Sequence, residues 1–203
     1  MRPRAVFFDV GETLVDEQRY WRSVAEAAGL GPHVLWAALG MTIARNEEHS
    51  ELWRHLGVDR PSGAWESIVY SADDLYPDAL PCLERLRAGG LVVGIAGNQT
   101  AALEAWARAS ELPADIVTGS ASLGVRKPAA AFFARLVDLA GVTASEVVYV
   151  GDRADNDAEP ALAAGLAAVH LRRGPWGMLQ PTPEGAIVIE SLAQLPGALA
   201  SLA

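Results

Sequence analysis

Ala5-Val6-Phe7-Phe8-Asp9-Val10-Gly11-Glu12-Thr13-Leu14 is the stretch on which the reading of this chain turns. Its apolar start, Ala5 to Phe8, halts at an acid, and a glycine follows at Gly11. A short unbroken apolar run suits a strand buried on both faces, as strands are in parallel sheets. An aspartate at the carboxyl end of such a strand stands where open α/β sheets hold their ligands. A strand closed by an ordinary turn explains the same residues. Three stretches further along decide between the two.

The bulk properties exclude several classes. With 203 residues the chain can bury a good core, as one domain or as one domain carrying an insertion. Hydrophobic residues make up 51% and charged residues 20%, a composition that fits a soluble globular protein. A formal charge of -9 without a basic cluster argues against nucleic acid or an anionic membrane surface as partner. Met1-Arg2-Pro3-Arg4 resembles the start of a signal peptide, but Asp9 ends the apolar run too early. No segment reaches the roughly 20 apolar residues of a membrane span. Cys82 is the single cysteine, which excludes an internal disulfide, and its place reads as a small buried hydrophobe on a helix face. These features predict a cytoplasmic protein.

From Asp16 to about Asp74 the pattern is helical. Glu17 to Ala28 reads as an amphipathic helix stopped by Gly29, Pro32 opens a second towards Arg45, and Glu47 to Leu56 makes a third before Gly57. A fourth is expected near Ser62 to Tyr70. Trp21, Trp36, Trp53 and Trp65 lie in this block, as the block's own core or with one or two walling a pocket. From Leu75 onward, helical segments alternate with strands at Leu91 to Ala96, Ile116 to Thr118, Val147 to Val150, Ala167 to Leu171 and Ile187 to Ile189. Such alternation predicts a Rossmann-like, doubly wound α/β fold with a mostly parallel sheet. The helical block is then an insertion: residues 1–15 and 75–203 form the core, and 16–74 an all-helical cap.

The later strand ends carry the other informative residues. Ile95-Ala96-Gly97-Asn98 leads into a helix start that can hold an anion, or where Asn98 is simply the N-cap. Gly124-Val125-Arg126-Lys127-Pro128 sets two cations before another helix, either a solvated pair or a functional Lys127. Val150-Gly151-Asp152-Arg153-Ala154-Asp155-Asn156-Asp157 crowds three carboxylates after an apolar run. Crowded carboxylates raise each other's pKa unless a cation neutralises them. Oxygen donors without nearby His or Cys point to magnesium, Mg2+, rather than zinc.

Asp9, Asn98, Lys127 and Asp152 to Asp157, in this order, resemble the haloacid dehalogenase-like hydrolase superfamily along the whole chain. Asp9-Val10-Gly11-Glu12-Thr13 looks like its Asp-x-Asp-x-Thr motif, and Gly151 to Asp157 matches Gly-Asp-x-x-x-Asn-Asp. Gly97 stands at the family's Ser or Thr position, and the helical block falls where the family inserts a cap. The resemblance implies a magnesium-dependent phosphatase of small phosphorylated metabolites. Asp9 would be the nucleophile, with Lys127 and Asp152 beside it in the catalytic set. Asp9, the Gly11 carbonyl, Asp152 and Asp157 would hold the metal, and Gly97, Asn98 and Lys127 the phosphate.

Two departures qualify the resemblance. The family's second motif acid acts as general acid and base, and Gly11 has no side chain for it, which predicts slow turnover unless Glu12 or Asp16 substitutes. Gly97 lacks the phosphate-binding hydroxyl. A slow phosphoenzyme or phosphotransferase, a metal- or phosphate-binding module, and a 2-haloacid dehalogenase are the alternative readings.

Overall fold

The computed structural model describes residues 2–63 and 69–202. The helix expected near 62–70, with Trp65, falls mainly on 64–68, outside the described residues. Strand β1 (Ala5–Phe8) is followed by helices α1 (Gln18–Ala27), α2 (Pro32–Ala44) and α3 (Glu51–Leu56). Then come α4 (Ala79–Ala88), β2 (Val92–Gly97), α5 (Ala101–Ala109), β3 (Ile116–Gly119), α6 (Ser120–Leu123) and α7 (Ala130–Ala140). Strand β4 (Val147–Gly151), α8 (Glu159–Ala163), β5 (Ala167–Leu171), α9 (Gly174–Leu179), β6 (Ile187–Ile189) and α10 (Leu195–Ala200) complete the chain.

The six strands pair in the order β3-β2-β1-β4-β5-β6, every pair parallel. This is the expected Rossmann-like α/β architecture. β1 is central because both of its faces are apolar: Val6 and Phe8 join one hydrophobic cluster, Ala5 and Phe7 the other. β4 repeats the division, Val148 and Val150 on one side and Val147 and Tyr149 on the other. The alternation of side chains along a strand thus feeds both helical layers. Tyr149 also donates from its hydroxyl to the Ala96 carbonyl at 2.6 Å, tying β4 to β2 across β1.

Because β2 and β4 flank β1 on opposite sides, the strand order switches direction at β1. Asp9 follows β1, Asn98 follows β2 and Asp152 follows β4, so three loops meet at one sheet end. The chain leaves the sheet at Val15 and returns at Leu75, where the two crossings pair: Asp16 N–H donates to the Asp74 carbonyl at 2.8 Å and Tyr76 N–H to the Leu14 carbonyl at 2.9 Å. Arg19 grips the Asp74 carboxylate through two nitrogens, fastening α1 to the return crossing.

Boundaries shift where local backbone geometry decides. Asn46 adopts a left-handed φ of 54° after α2, so the third helix begins at Glu51 instead of Glu47, and Glu47 pairs with His55 at 2.5 Å. The helix expected from Pro128 starts at Ala130. Helices α6 and α9 were not expected from the sequence; α9 opens on Gly174-Pro175. Cys82 lies buried on α4, and burial pushes its thiol up to about 12. Among the described residues no single helix is long and apolar enough to cross a membrane.

Tyr149→Phe removes the Tyr149–Ala96 bond from a fully buried site. It should lower stability by about 1 kcal/mol, read as an earlier urea midpoint with unchanged slope. An unchanged midpoint would show that this cross-strand bond contributes nothing.

Candidate active site

Lys127 is the hub of the site. Its ammonium lies 2.7 Å from Asp9 Oδ1 and 2.6 Å from Asp157 Oδ1, and the lysine is 1% exposed. Burial alone would lower its pKa, but Asp157 and Asp9 outweigh that and hold it well above the usual lysine range. The ring of Tyr149 lies 5.3 Å from the same ammonium. The solvated basic pair is therefore excluded for Lys127.

Asn98 fixes the hub's backbone. Its amide accepts from Lys127 N–H at 2.8 Å and donates to the Lys127 carbonyl at 3.0 Å. Both ends of its side chain are thereby committed, and Asn98 is not the N-cap of α5. Thr100 takes that role, accepting from Leu103 N–H at 3.3 Å. Gln99 is the buried amide that lines the cavity here, and its Oε1 has no hydrogen-bond partner.

The acids after β4 separate into two kinds. Asp157 comes back to the sheet through the turn Ala154–Ala158 and accepts from Arg153 N–H at 3.0 Å. Asp155 turns away and is clasped by the Arg153 guanidinium at 3.0 and 2.7 Å. Asp9, Asp152 and Asp157 offer oxygens within 4.8 Å of one another, all three residues buried. Burial, Asp157 and Asp9 push the Asp152 carboxyl well above the usual range. Burial likewise raises Asp157, to about 6, against the opposing pull of Lys127. Asp152 Oδ2 is buried without a hydrogen-bond partner. Three carboxylates, one ammonium and one orphaned oxygen fit a hard divalent cation with oxygen ligands.

His170, unremarked in the sequence, supports this edge. Its Nε2 lies 2.9 Å from the Asp152 carbonyl and its Nδ1 2.8 Å from Thr182 Oγ1. A polar residue inside the otherwise apolar run Ala167–Leu171 was the available signal.

Several glycines around the site make room for acids. A Cβ on Gly151 would fall 2.2 Å from Asp157 Oδ2, and one on Gly97 would fall 2.4 Å from Asp9 Oδ1. Gly97 therefore removes more than a hydroxyl: it leaves Asp9 its space. A Cβ on Gly11 would meet Glu17 Oε1 at 2.5 Å. Glu17 accepts from Trp21 Nε1 at 3.1 Å and from the Tyr70 hydroxyl. Burial and the neighbouring Glu12 push its carboxyl up to about 7.

Of the two surrogates expected for Gly11, Glu12 lines the same cavity as Asp9 and Asp16 does not. Asp16 accepts from Gln18 N–H at 2.8 Å and lines a second cavity of about 400 Å³. Glu12, left-handed at φ 50°, accepts from the Tyr76 hydroxyl at 2.6 Å and from Glu17 N–H at 3.2 Å. The space beside Gly11 belongs to Glu17.

Asp9, Glu12, Glu17, Lys127 and Asp152 face one cavity of about 610 Å³. Tyr20, Trp21 and Tyr70 from the helical insertion wall it, with Trp176 from α9. Trp21 faces the cavity, and both Trp21 and Trp53 join the hydrophobic cluster that includes the sheet strands, so they do not form a separate core of the helical block. Arg153 lies over the Trp176 ring at 4.8 Å.

Residues 3–165 match the haloacid dehalogenase-like hydrolases. The chain belongs to that family. It is 29% identical over 205 residues to glyceraldehyde 3-phosphate phosphatase of Methanopyrus kandleri, covering 88% of each chain. It is 30% identical over 199 residues to phosphoglycolate phosphatase of Rhodospirillum rubrum, covering 85% of this chain and 80% of the relative. A HAD-hydrolase from Bacillus subtilis, solved bound to magnesium, shares the fold with TM-score 0.71 and 17% identity, over 98% of this chain and 99% of that one.

Lys127→Ala leaves Asp9 and Asp157 buried without their ammonium. It should cost about 3–5 kcal/mol of stability, with part of the loss restored by a divalent cation. A variant as stable as wild type without added metal would contradict the buried charge cluster.

Proposed function

We propose that this hydrolase is a phosphatase of small phosphorylated metabolites that passes the phosphoryl group through Asp9. The observation that carries this reading is Asp9 held 2.7 Å from a buried lysine, within a three-acid cluster at the cavity floor. Phosphatase names on relatives covering most of the chain support it.

Asp9, Asp152 and Asp157 would hold magnesium, which when bound supplies charge neutralisation to the phosphoryl oxygens. An Asp9 oxygen attacks phosphorus and forms an aspartyl-phosphate, which water then hydrolyses. Lys127 orients Asp9 and balances charge on the transferring group, the main requirement of such a transfer. Asn98 keeps Lys127 in place through its backbone.

Residues 16–74 act in this reading as a helical cap hinged at Val15 and Leu75. Their aromatic side chains wall the cavity, so that closure excludes water other than the attacking one. The dehalogenase reading leaves Asp152, with its unpartnered buried oxygen, no task. The metal-binding module gives none to the walled cavity beside the acid cluster.

Magnesium should raise the melting temperature of the wild-type protein and support phosphate release from an aryl phosphate, by mass action on the folded state. Asp152→Asn should lose both effects. Identical melting curves in saturating magnesium and in chelator would sink the metal assignment. Absence of phosphate release across a panel of phosphorylated metabolites would sink the phosphatase reading.

A further inference from the structure

Phosphoryl transfer through Asp9 requires a proton for the departing oxygen and later a base for water. The carboxylates of the site differ in position. Asp157 and Asp9 are bound to Lys127, and Asp152 belongs to the same buried cluster. Glu12 and Glu17 both line the cavity and both accept from a tyrosine hydroxyl, but it is Glu17 whose carboxylate stands against Gly11. The three heavy atoms nearest to a Cβ on Gly11 are its Oε1, Cδ and Oε2, at 2.5, 2.7 and 3.1 Å. Gly11 stands two residues beyond Asp9 on the turn that closes β1, and Glu17 and Asp9 line the same cavity. Tyr70 and Trp21 each donate to one Glu17 oxygen and fix the plane of the carboxylate. The Gly11 backbone is not left-handed, and the nearest atoms to a side chain there are those of Glu17.

We propose that Glu17, at the start of the helical insertion, is the general acid and base of the phosphoryl-transfer site, filling from outside the β1 turn the place that a side chain on Gly11 would take. The assignment rests on the phosphatase reading above. In the first half-reaction an Asp9 oxygen bonds to phosphorus, the bond from phosphorus to the ester oxygen breaks, and that oxygen takes the proton of Glu17. In the second, a water oxygen bonds to phosphorus, the bond to Asp9 breaks, and Glu17 takes a proton from that water. Asp9 and Glu17 end as they began, with alcohol and inorganic phosphate as products. Because Glu17 lies in the insertion, the site is complete only while the insertion stays against the β1 turn. The slow turnover expected from Gly11 alone does not follow when its place is filled.

The test exchanges the carboxylate between two backbones, using p-nitrophenyl phosphate in saturating magnesium. Glu17→Gln and Glu17→Ala should each slow phosphate release on the order of 10²-fold or more. Glu17→Gln should also retain phosphoryl label on Asp9 after an acid quench. Gly11→Asp alone adds a side chain where Glu17 already sits, and should lower the melting temperature without a gain in rate. Glu17→Ala with Gly11→Asp clears that space and returns a carboxylate to it, and should recover roughly tenfold or more over Glu17→Ala. A merely structural Glu17 predicts no such recovery. The proposal is overturned if Glu17→Gln matches an active wild type. It is equally overturned if the folded double variant is no faster than Glu17→Ala; should Glu17→Gln misfold, that comparison decides alone. A wild-type protein that releases no phosphate from any donor overturns the phosphatase reading itself, a result distinct from an active wild type indifferent to Glu17.

Discussion

One buried ammonium organises this molecule's chemistry. Lys127 bridges Asp9 from the end of β1 and Asp157 from the turn after β4, and both contacts are short enough to be charge-assisted hydrogen bonds. A lone lysine in that position would lose its proton to desolvation, and lone carboxylates would gain one. Together they hold each other charged, and the loops that carry them are drawn to one sheet end. Asp152 is left over from this pairing, buried, with an oxygen that nothing satisfies. The arrangement is balanced on the protein's side up to the charge of one more cation.

The same crowding explains why glycine recurs around the site. Gly97, Gly151 and Gly11 each lie where an added carbon would strike a carboxylate, of Asp9, Asp157 and Glu17 respectively. In sequence two of these glycines look like losses, since the resemblance places functional side chains at positions 11 and 97. In three dimensions they are spaces already taken. At Gly11 the occupant arrives from another element, held by Tyr70 and Trp21 of the insertion, which joins the chemistry of the sheet end to the position of the helical block.

Most of the architecture was legible because strands buried on both faces leave unbroken apolar runs, and all six were placed within a residue or so at each end. The acids and Lys127 were legible because each directly follows such a run or precedes a helix. What escaped was information that lies in backbone geometry or in side-chain direction. The left-handed turn at Asn46 delays α3, and Asp155 leaves the acid cluster because Arg153 two residues away claims it. Asn98 does not cap the helix that follows it, and its side chain braces the Lys127 backbone. Glu17 lies six residues from Gly11 along the chain, so no motif connects them; only the absent side chain's volume does.

In the proposed function a divalent cation shared among Asp9, Asp152 and Asp157 completes the acid cluster. Crystals grown with manganese in place of magnesium would test it directly through anomalous scattering. The account predicts a single strong peak among those three carboxylates, with Lys127 still against Asp9. An empty cluster at saturating manganese, or an ion bound elsewhere on the surface, would contradict it.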